Sequence, residues 1–335
     1  MTLRARSPLH TSLVHAGLVH AGLVVLALLP VGPTAGAQEP VVGPAVLQSV
    51  VSVLPLWPGY EQGGSGDVPP GTAPEGSAVA FRAGGYLVTA LHVVERAVEI
   101  DVRLPDGRLQ TAELVAGDPA SDLAVLRIAA DLPPLALARE PRLGAPVCAV
   151  GNQFGLGLSM TCGVISALGL TAVGFNTIED FIQTDAVVNP GSSGGALVDG
   201  EGRLVGVLSA IFTKGSDANI GVNFAASAAL VARVAADLIE RGRVAPVPPG
   251  FRVADLTRAE RRMQVGARVI GVLPGSAAAR AGLSQDDVVV AVGSRTTRRA
   301  SDVTTALYLH RPGETVAIQV LRAGQPAALR LELPR

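Results

Sequence analysis

The stretch Gln183–Gly200, QTDAVVNPGSSGGALVDG, sets Gly191, Ser192, Ser193, Gly194 and Gly195 between two apolar runs. One reading is a plain turn, because Gly and Ser are ordinary loop residues. The other is a nucleophile loop, in which glycines let backbone N–H groups converge on developing negative charge beside an exposed serine. Only a base and an orienting acid elsewhere in the chain decide between them.

The chain has 335 residues, a formal net charge of -1, 16% charged and 48% hydrophobic residues. The length suggests two domains. The charge balance argues against a globally basic nucleic-acid binder, and the apolar content against disorder. Residues 1–37 have the pattern of a signal peptide: Arg4 and Arg6, an apolar run from Leu18 to Val31, then Ala35-Gly36-Ala37. Cleavage after Ala37 is expected, since Pro30 and Pro33 cut the run short of a comfortable span. The protein is thus expected to be exported to a bacterial periplasm or cell envelope, membrane-tethered if the signal is retained. Cys148 and Cys162 are the two cysteines. They are too few for a zinc site by themselves, and spacing leaves open a disulfide or two buried thiols.

Residues 38–75 hold the apolar VLQSVVSVLPLWP and then a Gly/Pro-rich loop. From residue 76 to 242 short apolar runs alternate with turn signals and no helical crossovers intervene, which predicts an antiparallel all-β barrel or sandwich. AASAALVARVAADLIERG, residues 225–242, predicts a helix with Leu230, Val231, Val234, Leu238 and Ile239 on one face and Gly242 as its stop. After the Pro-rich linker VAPVPPG, the remainder of 243–335 reads as a small α+β unit whose second helix is capped at Ser301 or Asp302.

With the signal removed, His92 and His310 are the only histidines. His310 reads as a helix C-terminal residue in the other domain, so a base for Ser193 would be His92, at the end of the strand GYLVTA. The acid would be Asp122 in DPASDLAVLRI, unless Asp118 or Asp122 merely caps the turn. The order His92, Asp122, Ser193 is that of chymotrypsin-like serine proteases and not of subtilisin or the α/β-hydrolases. GYLVTALHVV, SDLAVLRI, AVGNQFGLG and QTDAVVNPGSSGGALVDGEGRLVGV closely resemble, in the same order, the protease domain of the HtrA/Deg family. The resemblance covers about 77–242, and the tail resembles that family's PDZ domain.

The resemblance implies a mainly β fold, a chymotrypsin-like double β-barrel followed by a small α+β PDZ domain. It implies an ATP-independent serine endopeptidase with His92 as base, Asp122 as orienting acid, Ser193 as nucleophile, and the N–H groups of Gly191 and Ser193 as oxyanion hole. No cofactor or metal is required. Expected partners are unfolded or partly folded proteins, C-terminal peptides at the PDZ domain and no nucleic acid. A homotrimer is also implied, with Trp57, Tyr60 and the preceding apolar residues as interface unless they pack on their own barrel. Val187, Leu208, Ser209 and Ala210 are expected to wall the specificity pocket. Without a carboxylate there, cleavage should follow small or medium apolar residues. Phe251, Arg252, Val253, Val303 and Leu307 are expected to bind peptide.

Three departures from the family stand out. Ser192 replaces the usual Asn and Ala196 the usual Pro. Arg252 occupies a position where glycine is common. Ser192 carries no charge for pairing with a new N-terminus, so ordering of loops around 151–175 is the expected activation route, not clipping. The rival functions are a PDZ-bearing chaperone or scaffold with little proteolysis and, more remotely, an esterase.

Overall fold

The computed structural model describes residues 43–58, 75–211, 220–245 and 247–335, with residues 210 and 211 given by backbone alone. The signal segment, Tyr60 and the Gly/Pro-rich loop lie outside the described residues.

The first β body comprises β1 (Val50–Leu56), β2 (Gly76–Arg82), β3 (Tyr86–Ala90), β4 (Glu99–Arg103), β5 (Leu109–Thr111), β6 (Glu113–Asp118) and β7 (Leu123–Arg127). These pair antiparallel in the order β5-β4-β1-β2-β3-β7-β6. A one-turn helix, α1 (Leu91–Val94), follows β3. β1 lies in the interior of the sheet, between β2 and β4, which is why its apolar run is continuous and not alternating. Val50, Val51 and Val53 are fully buried. The segment expected to offer a trimer interface is therefore largely consumed as core, leaving Leu56 exposed and Trp57 half-buried at its end.

The second body is a closed barrel in the order β10-β13-β12-β11-β8-β9. Its strands are β8 (Pro146–Gly151), β9 (Ser159–Leu170), β10 (Phe181–Thr184), β11 (Ala196–Asp199), β12 (Leu204–Ile211) and β13 (Asn223–Ser227). Cys148 and Cys162 oppose each other directly across β8 and β9 and form a disulfide. The helix α2 (Ala228–Arg241) begins three residues later than its pattern predicted, because Ala225, Ala226 and Ser227 complete β13. Ser227 caps it by accepting from the Leu230 N–H, and Gly242 ends it in the left-handed region at φ 69°. Leu230, Val231, Val234 and Leu238 are buried in the cluster that also holds Leu123, Val125 and Val198, so α2 packs across both β bodies.

The C-terminal sheet runs β14 (Phe251–Asp255), β15 (Ala267–Val272), β16 (Val288–Val292), then β18 (Thr315–Arg322) and β19 (Gln325–Glu332), with β17 (Arg295–Thr296) paired to β16. Two helices accompany it, α3 (Ala277–Arg280) and α4 (Ala300–Tyr308). α4 starts one residue before the predicted cap. Asp302 sits inside its first turn and accepts the Arg298 and Arg299 N–H groups.

Pro40–Arg335 form one contact unit. Arg295 forks onto Asp180 with bonds of 2.6 and 2.8 Å, and Asp180 is almost fully buried. Thr305 donates to the Glu179 carbonyl at 3.0 Å, and Arg233 of α2 donates to the His310 carbonyl at 3.2 Å. Tyr308 donates to Asp118 at 2.7 Å. Burial and that carboxylate push the Tyr308 phenol well above its usual range, so it remains a protonated donor.

Candidate active site

β3 pairs with β7 so that Ala90 lies opposite Leu123. That register places the first turn of α1 beside Asp122. The Asp122 carbonyl accepts from Leu91 N–H at 2.9 Å, one carboxylate oxygen accepts from His92 N–H at 2.9 Å, and the other lies 2.6 Å from His92 Nδ1. Asp122 reaches this position at φ 59°, a left-handed conformation that costs a non-glycine residue energy and that the surrounding bonds hold in place. In the neutral ring, an Nδ1–H taken by a carboxylate leaves Nε2 as the acceptor. Asp118, the rival acid, is spent on the turn and on Tyr308: it accepts Ser121 N–H and the tyrosine hydroxyl.

Ser193 approaches from the loop between β10 and β11. Ser209 in β12 links it to the pair, since the Ser193 hydroxyl donates to the Ser209 carbonyl at 3.4 Å and Ser209 Oγ lies 3.5 Å from Asp122. Among the described residues Ser193 Oγ makes no bond to His92. Long or unformed catalytic bonds are common before substrate binds.

The glycines of the loop are sterically required. A Cβ on Gly191, at φ 94°, would sit 2.1 Å from the Asn152 carbonyl oxygen. One on Gly194 would sit 2.1 Å from the Ser77 carbonyl oxygen. Four successive carbonyls of the loop are held. Pro190 accepts from Phe154 N–H at 2.7 Å, Gly191 from Ser77 Oγ at 2.8 Å, Ser192 from Gly195 N–H at 2.8 Å and Ser193 from Ser77 N–H at 2.8 Å. A trans peptide points its C=O and N–H in opposite directions, so Gly191 N–H is turned away from Phe154. Among the described residues neither Gly191 N–H nor Ser193 N–H has an acceptor. A serine hydroxyl, an imidazole acceptor and two unclaimed N–H donors are the parts that acyl transfer needs.

Ser77 was not legible as part of this loop. It lies in β2 of the other β body, its hydroxyl also accepts Asn152 N–H at 2.8 Å, and nothing in EGSAVAF marks it. The loops expected to control ordering are anchored too. Gly157 N–H donates to the Asn152 side chain at 2.8 Å, and the Glu179 carboxylate collects the N–H groups of Val173, Gly174, Phe175 and Asn176. Ser192 is buried, with its hydroxyl unpartnered.

Of the expected specificity residues, Val187 is 45% exposed and Ser209 borders Ser193. Leu208 has its side chain fully buried in the barrel cluster with Val147, Ile165, Ile182 and Val188, and its backbone pairs with Gly194 and Gly195. The Ala210 side chain lies outside the described residues.

In the C-terminal sheet, Phe251, Arg252, Val253, Val303 and Leu307 all line one groove of about 530 Å³, together with Pro249, Ile270 and Tyr308. The positive φ of its entry belongs to Gly250, at 81°, and Arg252 takes ordinary backbone angles. The left-handed backbone that glycine permits is thus supplied two residues before Arg252.

Residues 76–207 match the trypsin-like peptidase domain family and residues 243–333 the PDZ domain family. The HtrA-type protease AlgW with tripeptide is 38% identical, covering 87% of this chain and 95% of its own, with a TM-score of 0.67. The chain belongs to the HtrA-type protease family. Its mainly β fold is the HtrA-type one, a chymotrypsin-like pair of β bodies followed by a PDZ domain. The probable periplasmic serine endoprotease DegP-like of Chlamydia trachomatis serovar D is 41% identical over 249 residues, 72% of this chain and 50% of the relative. The periplasmic pH-dependent serine endoprotease DegQ of Escherichia coli K12 is 35% identical over 268 residues, 77% of this chain and 59% of the relative. The chain thus spans about half to three-fifths of the length of these HtrA-type relatives.

Proposed function

We propose that this chain is an exported serine endopeptidase of the periplasm or cell envelope that cleaves unfolded or partly folded proteins. Residues 76–242 form its protease domain, and 243–335 its linker and peptide-binding PDZ domain. The carrying observation is the His92–Asp122 pair, with ring and backbone N–H both bonded to one carboxylate.

In the reaction, the Ser193 hydroxyl turns from the Ser209 carbonyl toward His92 and attacks the scissile carbonyl. His92 takes its proton and returns it to the leaving amine, while Asp122 holds the tautomer and stabilises the imidazolium. Gly191 and Ser193 N–H groups bind the oxyanion, where one donor is worth about 3–4 kcal/mol. Water then releases the acyl group by the same proton traffic in reverse. Val187 and Ser209 favour small or medium apolar residues before the cut. Extended C-terminal peptides pair with the free edge of β14, their carboxylate at residues 249–251 and their side chains toward Val303 and Leu307. Assembly as a homotrimer is part of the proposal, although β1 contributes little surface to it.

A chaperone or scaffold with little proteolysis is the second reading, favoured by the Ser193 bond to Ser209 in place of His92. Casein hydrolysis decides. The mature chain is expected to cleave it and Ser193→Ala to lose cleavage while keeping the fold. An inert parent protein would overturn the endopeptidase reading.

A further inference from the structure

The net charge of -1 conceals an asymmetry. Residues 76–242 carry eleven basic against seventeen acidic side chains, whereas 243–335 carry fourteen arginines against seven acidic ones. Part of the excess lies past the Asp255 end of β14, beyond the residues that line the groove itself, with Arg298 and Arg299 also bordering residues 168–171 of the barrel. Arg258, Arg261 and Arg262 lie in the loop after β14, and Arg298 and Arg299 lie just before α4; all five are exposed. Asp255, the last residue of β14, joins the two loops by accepting from Arg261 at 2.9 Å and from Ala300 N–H at 2.8 Å.

The local carboxylates are already committed. Asp302 accepts the Arg298 and Arg299 N–H groups, and Glu260 binds Arg268 and Thr257 N–H. Among the described residues no carboxylate lies within ion-pair distance of Arg258, Arg262, Arg298 or Arg299. Like charges left together repel, and the fold supplies no counterion for them.

We propose that this rim selects client tails with acidic residues upstream of an apolar C-terminus. The inference rests on the reading of carboxylate capture at residues 249–251. A peptide antiparallel to β14 then spends its last five residues along Phe251–Asp255, at about 3.4 Å each. Its fifth to eighth residues from the C-terminus emerge at Asp255, among the unpaired guanidiniums. Carboxylates there supply the missing counterions, as charge-assisted bonds that arginine forms well. Met263 and Val265 stand exposed in the same loop, which makes an anionic lipid surface the competing occupant.

The test uses the full chain carrying Ser193→Ala and two octapeptides ending Ala-Ala-Leu-Val, one opening with four aspartates and one with four serines. The aspartate peptide is expected to bind about tenfold more tightly at low salt, with the advantage shrinking as salt rises. Arg258→Gln, Arg262→Gln, Arg298→Gln and Arg299→Gln combined should remove that advantage and leave the serine peptide unaffected, which also shows that the groove is intact. Equal affinities in the parent, or an advantage that survives the four substitutions, would overturn the proposal. Arginine-dependent sedimentation with phosphatidylglycerol vesicles alongside equal peptide affinities would assign the rim to lipid. Failure of both peptides to bind would remove the carboxylate-capture reading itself.

Discussion

Two adjacent serines in GSSGG have opposite surroundings, and a third serine far away in sequence holds their loop. Ser192 Oγ is buried without a partner, so Ser192→Ala removes an unsatisfied hydroxyl and is expected to leave activity intact and stability unchanged or up to about 1 kcal/mol higher. Ser77 Oγ instead holds the Gly191 carbonyl out of the space where the oxyanion forms. Ser77→Ala should lower kcat by about 10- to 100-fold with KM little changed and cost about 1–3 kcal/mol of stability for the two buried groups it leaves unpaired, and Ser77→Thr should restore part of both. A loss of stability with kcat unchanged would reduce Ser77 to a packing residue. The proposed triad was legible because each member sits in a short local pattern. Ser77 was not, because its role exists only once two β bodies meet.

At the scale of elements, the β8–β9 hairpin carries Phe154, which donates to the Pro190 carbonyl of the loop before Ser193, and Asn152, which donates to Ser77 Oγ, and the Cys148–Cys162 disulfide crosslinks it at directly opposed positions. Closing a loop of this separation, 14 residues, is worth about 2–3 kcal/mol through the unfolded chain. Replacing both cysteines by alanine is expected to cost that much in denaturant titrations, and reductant should shift the parent to the same midpoint. No midpoint shift would mean the strand pairing alone fixes the hairpin. Spacing left this bond undecided, since only register brings the two sulfurs together. Register also explains the late start of α2: Ala225 and Ala226 suit a helix locally, yet β12 claims them as ladder partners.

At the scale of the whole molecule, whole-chain charge was the least informative reading, because nearly equal and opposite excesses cancel between 76–242 and 243–335. Docking of the C-terminal sheet was likewise invisible in sequence. It depends on Arg295 meeting Asp180 and on Tyr308 meeting Asp118, pairs separated by 115 and 190 residues. What sequence did reveal at this scale was the succession of strand-rich and mixed segments, since turn signals and apolar periodicity are local.

The bonds from Ser77 to residues 191 and 193 also set a schedule. Neither β body alone supplies all the bonds to the proposed nucleophile loop, so under the proposed function a chain that arrives unfolded is a client of proteases before it can act as one. During refolding, strand circular dichroism should recover first and casein hydrolysis only with the later association of the two bodies. Hydrolysis rising in step with the earliest strand signal would show that the closed barrel shapes the loop without its neighbour. Under the proposed function, delayed competence of this kind would limit self-digestion while sibling chains are still unfolded.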